Sequence, residues 1–527
     1  AGTNDWRQNH AAYNRGEMDK WAMANTPYSM GYVHEADIPV QYKLAETFTV
    51  GDMYYESIMS STAPNRVSWF SGTINPPKGS KINGTNKHMG GPTLDNRDSV
   101  GCERTDSGKP FSCVPLRWKT VPEYLQEAGI SWRVYQDKDN FGDDPLVMWK
   151  QYQTSAKKKG DLAERGTSFP GLQKFFDDAR DGKLPEVSYI VAPMQLSEHP
   201  PYMPIDGAWL QGEVAKAVMH GKNWDSTALI YSYDETGGWA DHVVSPYPPQ
   251  SEESEWIEDP YDKSNGISPI GPGFRLPFYI VSPWTSGGHV FTEHAAHESQ
   301  IMFLEQWALA HGKPFTSEEI PTWRREQLSD LVKAFDFSSK DTSVPEVPYV
   351  RKPSQDIFTG HFNGADVCQA IHLKKVQPDI PYKNLNPSNS MEVNKGFKRL
   401  RGDITEGRRL TFEAHNRALS HSGSKLKSSS SSKEHNEKDQ LFVVHWQGVN
   451  PKDNRFRIAT TDQLYITKSL SMSKDEKKAA LFSLKDMGNG VGYSISELDS
   501  GKRLQLNEDG SVSLGGDTYF QIYSVTL

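Results

Sequence analysis

EVSYIVAPMQLSEHPPYMPIDGAWLQGEVAKAVMHGKNWDSTALIYSYDETGG, residues 186–238, contains two short apolar runs separated by an amphipathic stretch. The runs, VSYIVA and ALIYSY, are too short and too evenly apolar for surface strands and read as strands buried on both faces. Between them Leu210, Val214 and Val218 recur every four residues, which places them on one helical face, and Gly221 stops that helix. Strand, helix, strand is the unit of a parallel sheet covered by helices.

The same order extends outward from about residue 48 to residue 337. A helix is signalled by Thr120 as N-cap, Pro122 in its first turn, Leu125 inside and Gly129 past its end, and ISWRVYQD (130–137) follows it as a strand. RLPFYIVSPW (275–284) is a further buried strand, and the helix IMFLEQWALAHG (301–312) closes the region. Past Asp336 the chain turns polar and proline-rich, with KSSSSSKEHNEKD (427–439) reading as a solvated linker. Short alternating strands then run to the end, with Asp509-Gly510 as a hairpin turn. The expected organisation is an α/β domain over 1–340, an irregular connection over 341–440 and a small all-β domain over 441–527.

The 527 residues carry 58 Lys+Arg and 67 Asp+Glu, a formal charge of −9. That balance excludes the basic face of a nucleic-acid binder. No run approaches the ~18 apolar residues of a membrane span, so contact with lipid is expected from the water side. The chain begins at Ala1 rather than Met, which suggests processing or truncation. Among three cysteines, Cys102 and Cys113 flank a polar loop and are candidates for a short disulfide in an oxidising compartment, with two reduced thiols as the alternative. Asn83-Gly84-Thr85 fits a glycosylation sequon.

Ligands of open parallel sheets bind beyond the carboxyl ends of the strands. There the sequence places Asp234 and Glu235 ahead of Gly237-Gly238, then Asp241-His242, Ser197-Glu198-His199, and His294 and His297. Adjacent carboxylates repel unless a cation or a backbone nest holds them, so a divalent metal is one explanation and a solvated turn the other. In ESIMSSTAPNR (56–66) small hydroxyl residues lead into a helix, which puts Thr62 at an N-terminus that favours a phosphoryl group. Ser60, Ser61 or Thr62 acting simply as an N-cap is the alternative.

MGYVHEADIPVQYKLAETFTVGDMYYESIMSSTAPNRVSWFSGT, SWRVYQDKDNF, VSYIVAPMQLSEHPPYMPIDGAW, YSYDETGGWADHVVSPYPP and LPFYIVSPWTSGG occur in that order. Together they resemble the phosphoesterase family that contains phosphatidylcholine-hydrolysing phospholipase C and related acid phosphatases, in the alkaline-phosphatase-like superfamily. GFKRLRGDITEGRRLTFE and the IYSVT ending are similar to fungal secreted members. The resemblance implies a mostly parallel sheet with helices on both faces, a secreted phospholipase C acting at a membrane or micelle surface, and no nucleic-acid partner. It implies Thr62 as nucleophile, and Asp234 and Glu235 beside it as ligands of one or more divalent metals, zinc or calcium. His199 and His10 would contact phosphoryl oxygens or move protons, and Asn65, His242 and His297 lie in family-like segments as phosphate-binding or supporting residues. A phosphomonoesterase using the same site, or a silent lipid- or carbohydrate-binding protein, is the alternative.

The family pattern also carries a Glu-Asn-Arg-Ser-Phe type motif on a first core strand, upstream of the nucleophile. No Glu-Asn dipeptide occurs here, and the resemblance begins in mid-pattern at TNDWRQNHAAYN. The expectation is a cleaved enzyme whose N-terminal fragment stays associated, tied through Cys368, against the alternative of a chain short of one metal ligand.

Overall fold

The computed structural model describes residues 2–76, 93–96, 101–104, 108, 110–373 and 395–527, so the sequon at Asn83 lies outside the described residues. Strands β1 (Thr49–Gly51), β2 (Gly101–Arg104), β3 (Pro110–Val114), β4 (Trp132–Tyr135), β5 (Val187–Ile190), β6 (Leu229–Ser232), β7 (Phe278–Val281) and β8 (His289–Phe291) belong to the α/β region. The main sheet runs β6-β7-β1-β8 and continues into the C-terminal strands. β1 and β8 pair in parallel, Thr49 opposite His289, whereas β7 is antiparallel to both β1 and β6. The core sheet is therefore mixed, and the strand read from RLPFYIVSPW is the one that reverses.

β4 and β5 form a separate parallel pair, Trp132 opposite Val187. Helices α1 (Trp6–Tyr13), α2 (Pro39–Thr47), α3 (Thr62–Ser71), α4 (Val121–Glu127), α5 (Leu172–Asp181), α6 (Pro204–Met219) and α7 (His297–Ala310) surround these strands. Alternation along β4 divides the core. Val134 packs with Val67, Phe70, Leu125 and Ile301, while its neighbour Tyr135 packs with Phe175, Val214, Val218 and Val281. At the start of α4, Glu123 Oε2 accepts from the Thr120 amide at 2.9 Å, the return bond of a capping box, and also from the Thr120 hydroxyl at 2.8 Å. All four residues of β5 and all four of β6 line a cavity of about 350 Å³, closed by Leu210 and Val214 of α6 and Ile301 of α7. Among the described residues β5 pairs only with β4, and β6 only with β7.

β2 and β3 are joined directly by a Cys102–Cys113 disulfide. Closing so short a loop stabilises by about 3 kcal/mol through the unfolded state. Melting with and without reductant checks this: reductant should lower the Tm of the native chain but not that of Cys102→Ser/Cys113→Ser. Cys368 is a free thiol.

The expected irregular connection over 341–440 needs correction at its C-terminal end. Strands resume at β9 (Gly396–Arg401), followed by β10 (Arg409–Ala414) and, within the Ser-rich tract, β11 (Lys425–Ser430). Serines read as linker because they lack apolar bulk, yet here they are satisfied within a sheet. Arg417 Nε donates to Ser428 Oγ at 2.7 Å and Gln440 Nε2 to Ser429 Oγ at 3.0 Å, while Leu426 alternates inward. β9 pairs in parallel with β8, His289 opposite Arg399, and β12 (Gln521–Thr526) lies between β9 and β10. The α/β and all-β regions thus share a sheet rather than meeting through a tether. The Asp509-Gly510 turn joins paired strands, with Leu506 opposite Val512 and Gly510 at φ +88°.

Candidate active site

The approach to α3 is shaped by one side chain. Asn65, fully buried, accepts from the Ile58 amide at 2.9 Å and donates to the carbonyls of Ile58 (2.9 Å), Ser60 (3.2 Å) and Ser61 (3.1 Å). That clamp folds residues 58–61 back over the helix and leaves Ser61, in extended conformation, as N-cap. Thr62 becomes the first residue of α3. Arg66, four residues on, shares its face, and its guanidinium bridges Asp234 (2.9 Å) and Asp143 (3.2 Å). Thr62, Ala63 and Arg66 line a cleft with Asn96, Phe141 and Gly142, where the Ala63 amide donates to Asn96 Oδ1 at 2.7 Å.

Asp234 and Glu235 lie just beyond β6, and Gly237 and Gly238, at φ +61° and +73°, make the turn that follows. Glu235 Oε2 accepts from the Gly237 amide at 2.5 Å. A third carboxylate, fully buried Glu56, accepts from the amides of Phe274 and Thr236, each at 3.2 Å. Burial, then the charge of Asp234, pushes Glu235 up to about 8. Burial likewise holds Glu56 well above the usual carboxylate range, with the Glu235 and Asp234 charges adding to it. Asp234 goes the other way: burial opposes ionisation, but the Arg66 guanidinium outweighs it.

His297, at the start of α7, faces the same strand end. Its Nε2 donates to the Asp234 carbonyl at 2.9 Å, and burial lowers its pKa, so the ring is neutral and Nδ1 accepts from Tyr54 Oη at 2.9 Å. Gln300 Nε2 donates to Tyr54 Oη at 2.7 Å and fixes that hydroxyl.

Of the residues singled out in the sequence, the structure gathers Thr62, Asp234, Glu235 and His297 around Arg66. His199 stands at the rim, its Nδ1 hydrogen-bonded to the Pro200 carbonyl at 2.8 Å and its ring edge-on to Phe141 at 5.2 Å. Three expectations are corrected. Asn65 spends its amide on the 58–61 backbone, so it positions Thr62 rather than touching phosphate. His10 is stacked on Trp6 with both ring nitrogens 2.8 Å from carbonyl oxygens, those of Trp6 and Pro269, which leaves no nitrogen for a phosphoryl group. His242 is exposed beside the Asp241–Arg275 ion pair, and among the described residues its ring makes no hydrogen bond to the buried carboxylates. Sequence reading passed over Glu56, Arg66 and Asp143. Only Arg66 left a signal, its four-residue spacing from Thr62.

A model of the phosphoesterase family matches residues 2–309. The chain belongs to the phosphoesterase family. It is 33% identical over 378 residues to the non-hemolytic phospholipase C of Burkholderia pseudomallei, covering 65% of this chain and 50% of that protein. To the non-hemolytic phospholipase C of Pseudomonas aeruginosa it is 35% identical over 405 residues, 74% of this chain and 53% of that protein. To phospholipase C A of Mycobacterium tuberculosis it is 33% identical over 421 residues, 74% of each. The chain thus spans about half the length of the Burkholderia and Pseudomonas relatives.

Phosphoesterase chemistry invites the question of a cation. Asp234, Glu235 and Glu56 are close enough for their charges to act on one another, and carboxylate oxygens are the donor type that a hard divalent ion takes. The set is partial, since Arg66 already holds Asp234, and among the described residues no three His, Cys, Asp or Glu side chains converge as metal ligands.

The segment 197–200 contributes a further, half-buried acid. Glu198 accepts from Tyr233 Oη (2.6 Å), Gln211 Nε2 (2.8 Å) and Gln41 Nε2 (3.2 Å), and burial pushes its carboxyl up to about 7. A carboxyl whose folded pKa is raised stabilises the fold only while protonated, so its contribution is lost as pH climbs from about 4.5 through 7. Urea unfolding at pH 5 and pH 8 should show the native chain losing about 2.5 kcal/mol relative to Glu198→Gln over that interval. Parallel pH profiles would rule out the raised pKa.

Proposed function

We propose that the chain is a phosphoric ester hydrolase of the phospholipase C type, cleaving phospholipid to diacylglycerol and a phosphorylated head group. The observation that carries this reading is Thr62 at the N-terminus of α3, one turn from Arg66, whose guanidinium meets Asp234 just beyond β6. Relatives named phospholipase C at 33–35% identity support the substrate class.

In this mechanism the phosphoryl group lies against the first turn of α3, where the positive end of the helix dipole and the Arg66 guanidinium balance its charge. Thr62 Oγ1 attacks phosphorus in line, its proton passing to water in the cleft, and the bond to the glycerol oxygen breaks. His199, whose Nδ1 donates to the Pro200 carbonyl, protonates the departing alkoxide from Nε2 as the imidazolium and regains that proton from the water that attacks in the next step. Water then hydrolyses the phosphothreonine. Asp234 and Glu235, with Thr62, would hold a divalent ion, zinc or calcium, whose chemistry is to neutralise charge developing on phosphorus. The Cys102–Cys113 bridge supports secretion to an oxidising compartment.

Turnover of phosphatidylcholine and of p-nitrophenyl phosphate, each with and without chelator, tests the proposal. Chelator-sensitive phospholipid hydrolysis with weak monoester hydrolysis is expected. The reverse preference would make the chain a phosphomonoesterase, and no turnover of either would overturn the enzymatic reading.

A further inference from the structure

Ile357 and Phe358 are 87% and 90% exposed. Bare side chains of this size are ordinary in a loose loop, but this turn is tightly built. Asp356 Oδ1 accepts from the Phe358 amide (3.0 Å), the Thr359 amide (2.7 Å) and the Thr359 hydroxyl (3.0 Å). The Gly360 amide donates to the Asp356 carbonyl and the Asp356 amide to the His361 carbonyl, both at 2.8 Å. Asn363 N donates to the Ser354 carbonyl at 2.9 Å, and Gln355 Nε2 to the Gly360 carbonyl at 2.9 Å. The tip is thus held in one shape with two apolar side chains turned to water.

Its place is fixed by contacts that lead to the Thr62 cleft. Phe362 packs on Trp209 at 5.6 Å, and Lys352 lies over the same ring at 5.9 Å. His361 Nδ1 comes within 4.0 Å of Asp139, two residues before Phe141. Phe141, itself an exposed aromatic, lines the cleft with Thr62 and packs edge-on against His199 and Tyr202. The tip, the rim histidine and the cleft therefore stand in one neighbourhood. The cations near the tip are Arg351, which has Asp206 close by, and Lys352; Asp139 lies against His361, and the Asp356 carboxylate is turned inward onto its own backbone.

We propose that residues 354–363 form a membrane-seating knob, which inserts Ile357 and Phe358 among lipid chains while Arg351 and Lys352 meet the phosphate groups of the surface. The inference rests on the phospholipase reading and extends it from the reacting atoms to how the enzyme reaches a substrate embedded in a bilayer. A convex apolar tip beside cations suits a deformable lipid layer, in which cations lie at head-group depth and apolar side chains below them.

The test uses flotation of the full chain with large unilamellar phosphatidylcholine vesicles, alongside turnover of the water-soluble substrate p-nitrophenyl phosphorylcholine. Ile357→Ser/Phe358→Ser should lower the vesicle-bound fraction and vesicle hydrolysis by about ten-fold or more, because two large side chains lose their transfer to lipid. Soluble turnover should be unchanged, and Ile357→Leu/Phe358→Trp should restore binding. Unaltered vesicle binding by the serine variant overturns the knob, including the case in which the tip serves a soluble protein instead. Tip-dependent binding by a chain that hydrolyses neither substrate would sustain the knob while sinking the phospholipase reading.

Discussion

Thr62→Val is expected to abolish phospholipid turnover, by about three orders of magnitude or more, with little change in thermal unfolding. Valine keeps the volume and β-branching of threonine and removes only the hydroxyl. The fold should tolerate it, because Ser61 rather than Thr62 occupies the N-cap and Asn65 holds the loop through backbone groups. Thr62→Ser, which retains an oxygen at the same carbon, should keep a substantial fraction of activity. Ser61 supplies the control: its hydroxyl is buried and has no hydrogen-bond partner among the described residues, so Ser61→Ala tests the competing nucleophile next door. Normal turnover by Thr62→Val together with loss in Ser61→Ala would move the nucleophile by one residue. Normal turnover in both would remove covalent catalysis from this helix.

The fold was legible where periodicity is local. Four-residue spacing located α6, an N-cap and a glycine bracketed α4, and apolar runs placed β4 to β7. Strand direction was not legible, because pairing partners are set by contacts between distant segments: β7 reads like its neighbours and yet runs against both. The Ser-rich tract misled for a related reason, as serine carries no apolar signal and its partners Arg417 and Gln440 lie about ten residues away.

At the site, the carboxylates after β6 announced themselves by adjacency and by the glycines behind them. Glu56 did not, since its proximity to Asp234 exists only after folding. The histidines show the opposite error: His10 sits in a conspicuous motif, but its ring nitrogens are consumed by backbone carbonyls, and that is a property of geometry rather than of residue type.

Arg324 has the largest expected effect on stability. It is buried, and its guanidinium meets Glu255 in a bidentate pair (3.0 and 2.9 Å), Glu298 Oε1 at 2.8 Å and the Ser57 carbonyl at 2.8 Å. Glu298 is also held by Ser57 Oγ (2.7 Å) and by Ser68 Oγ of α3 (2.5 Å), and Ser57 Oγ accepts from the His297 amide at 3.0 Å. This network ties the floor of the site to α3 and α7. Arg324→Met would leave two buried carboxylates without their cation, which costs about 3–5 kcal/mol. Burial opposes ionisation of Glu298, and Arg324 is what keeps its pKa below the usual range. Without the arginine that pKa rises, so the deficit of Arg324→Met should grow with pH as Glu298 is forced to ionise. Denaturant unfolding at pH 5 and pH 8 would show it, and adding Glu255→Gln and Glu298→Gln should recover much of the loss by removing the unpaired charges. A deficit below about 1 kcal/mol, unchanged by pH, would mean that water reaches the carboxylates and that the network does not set the position of α3.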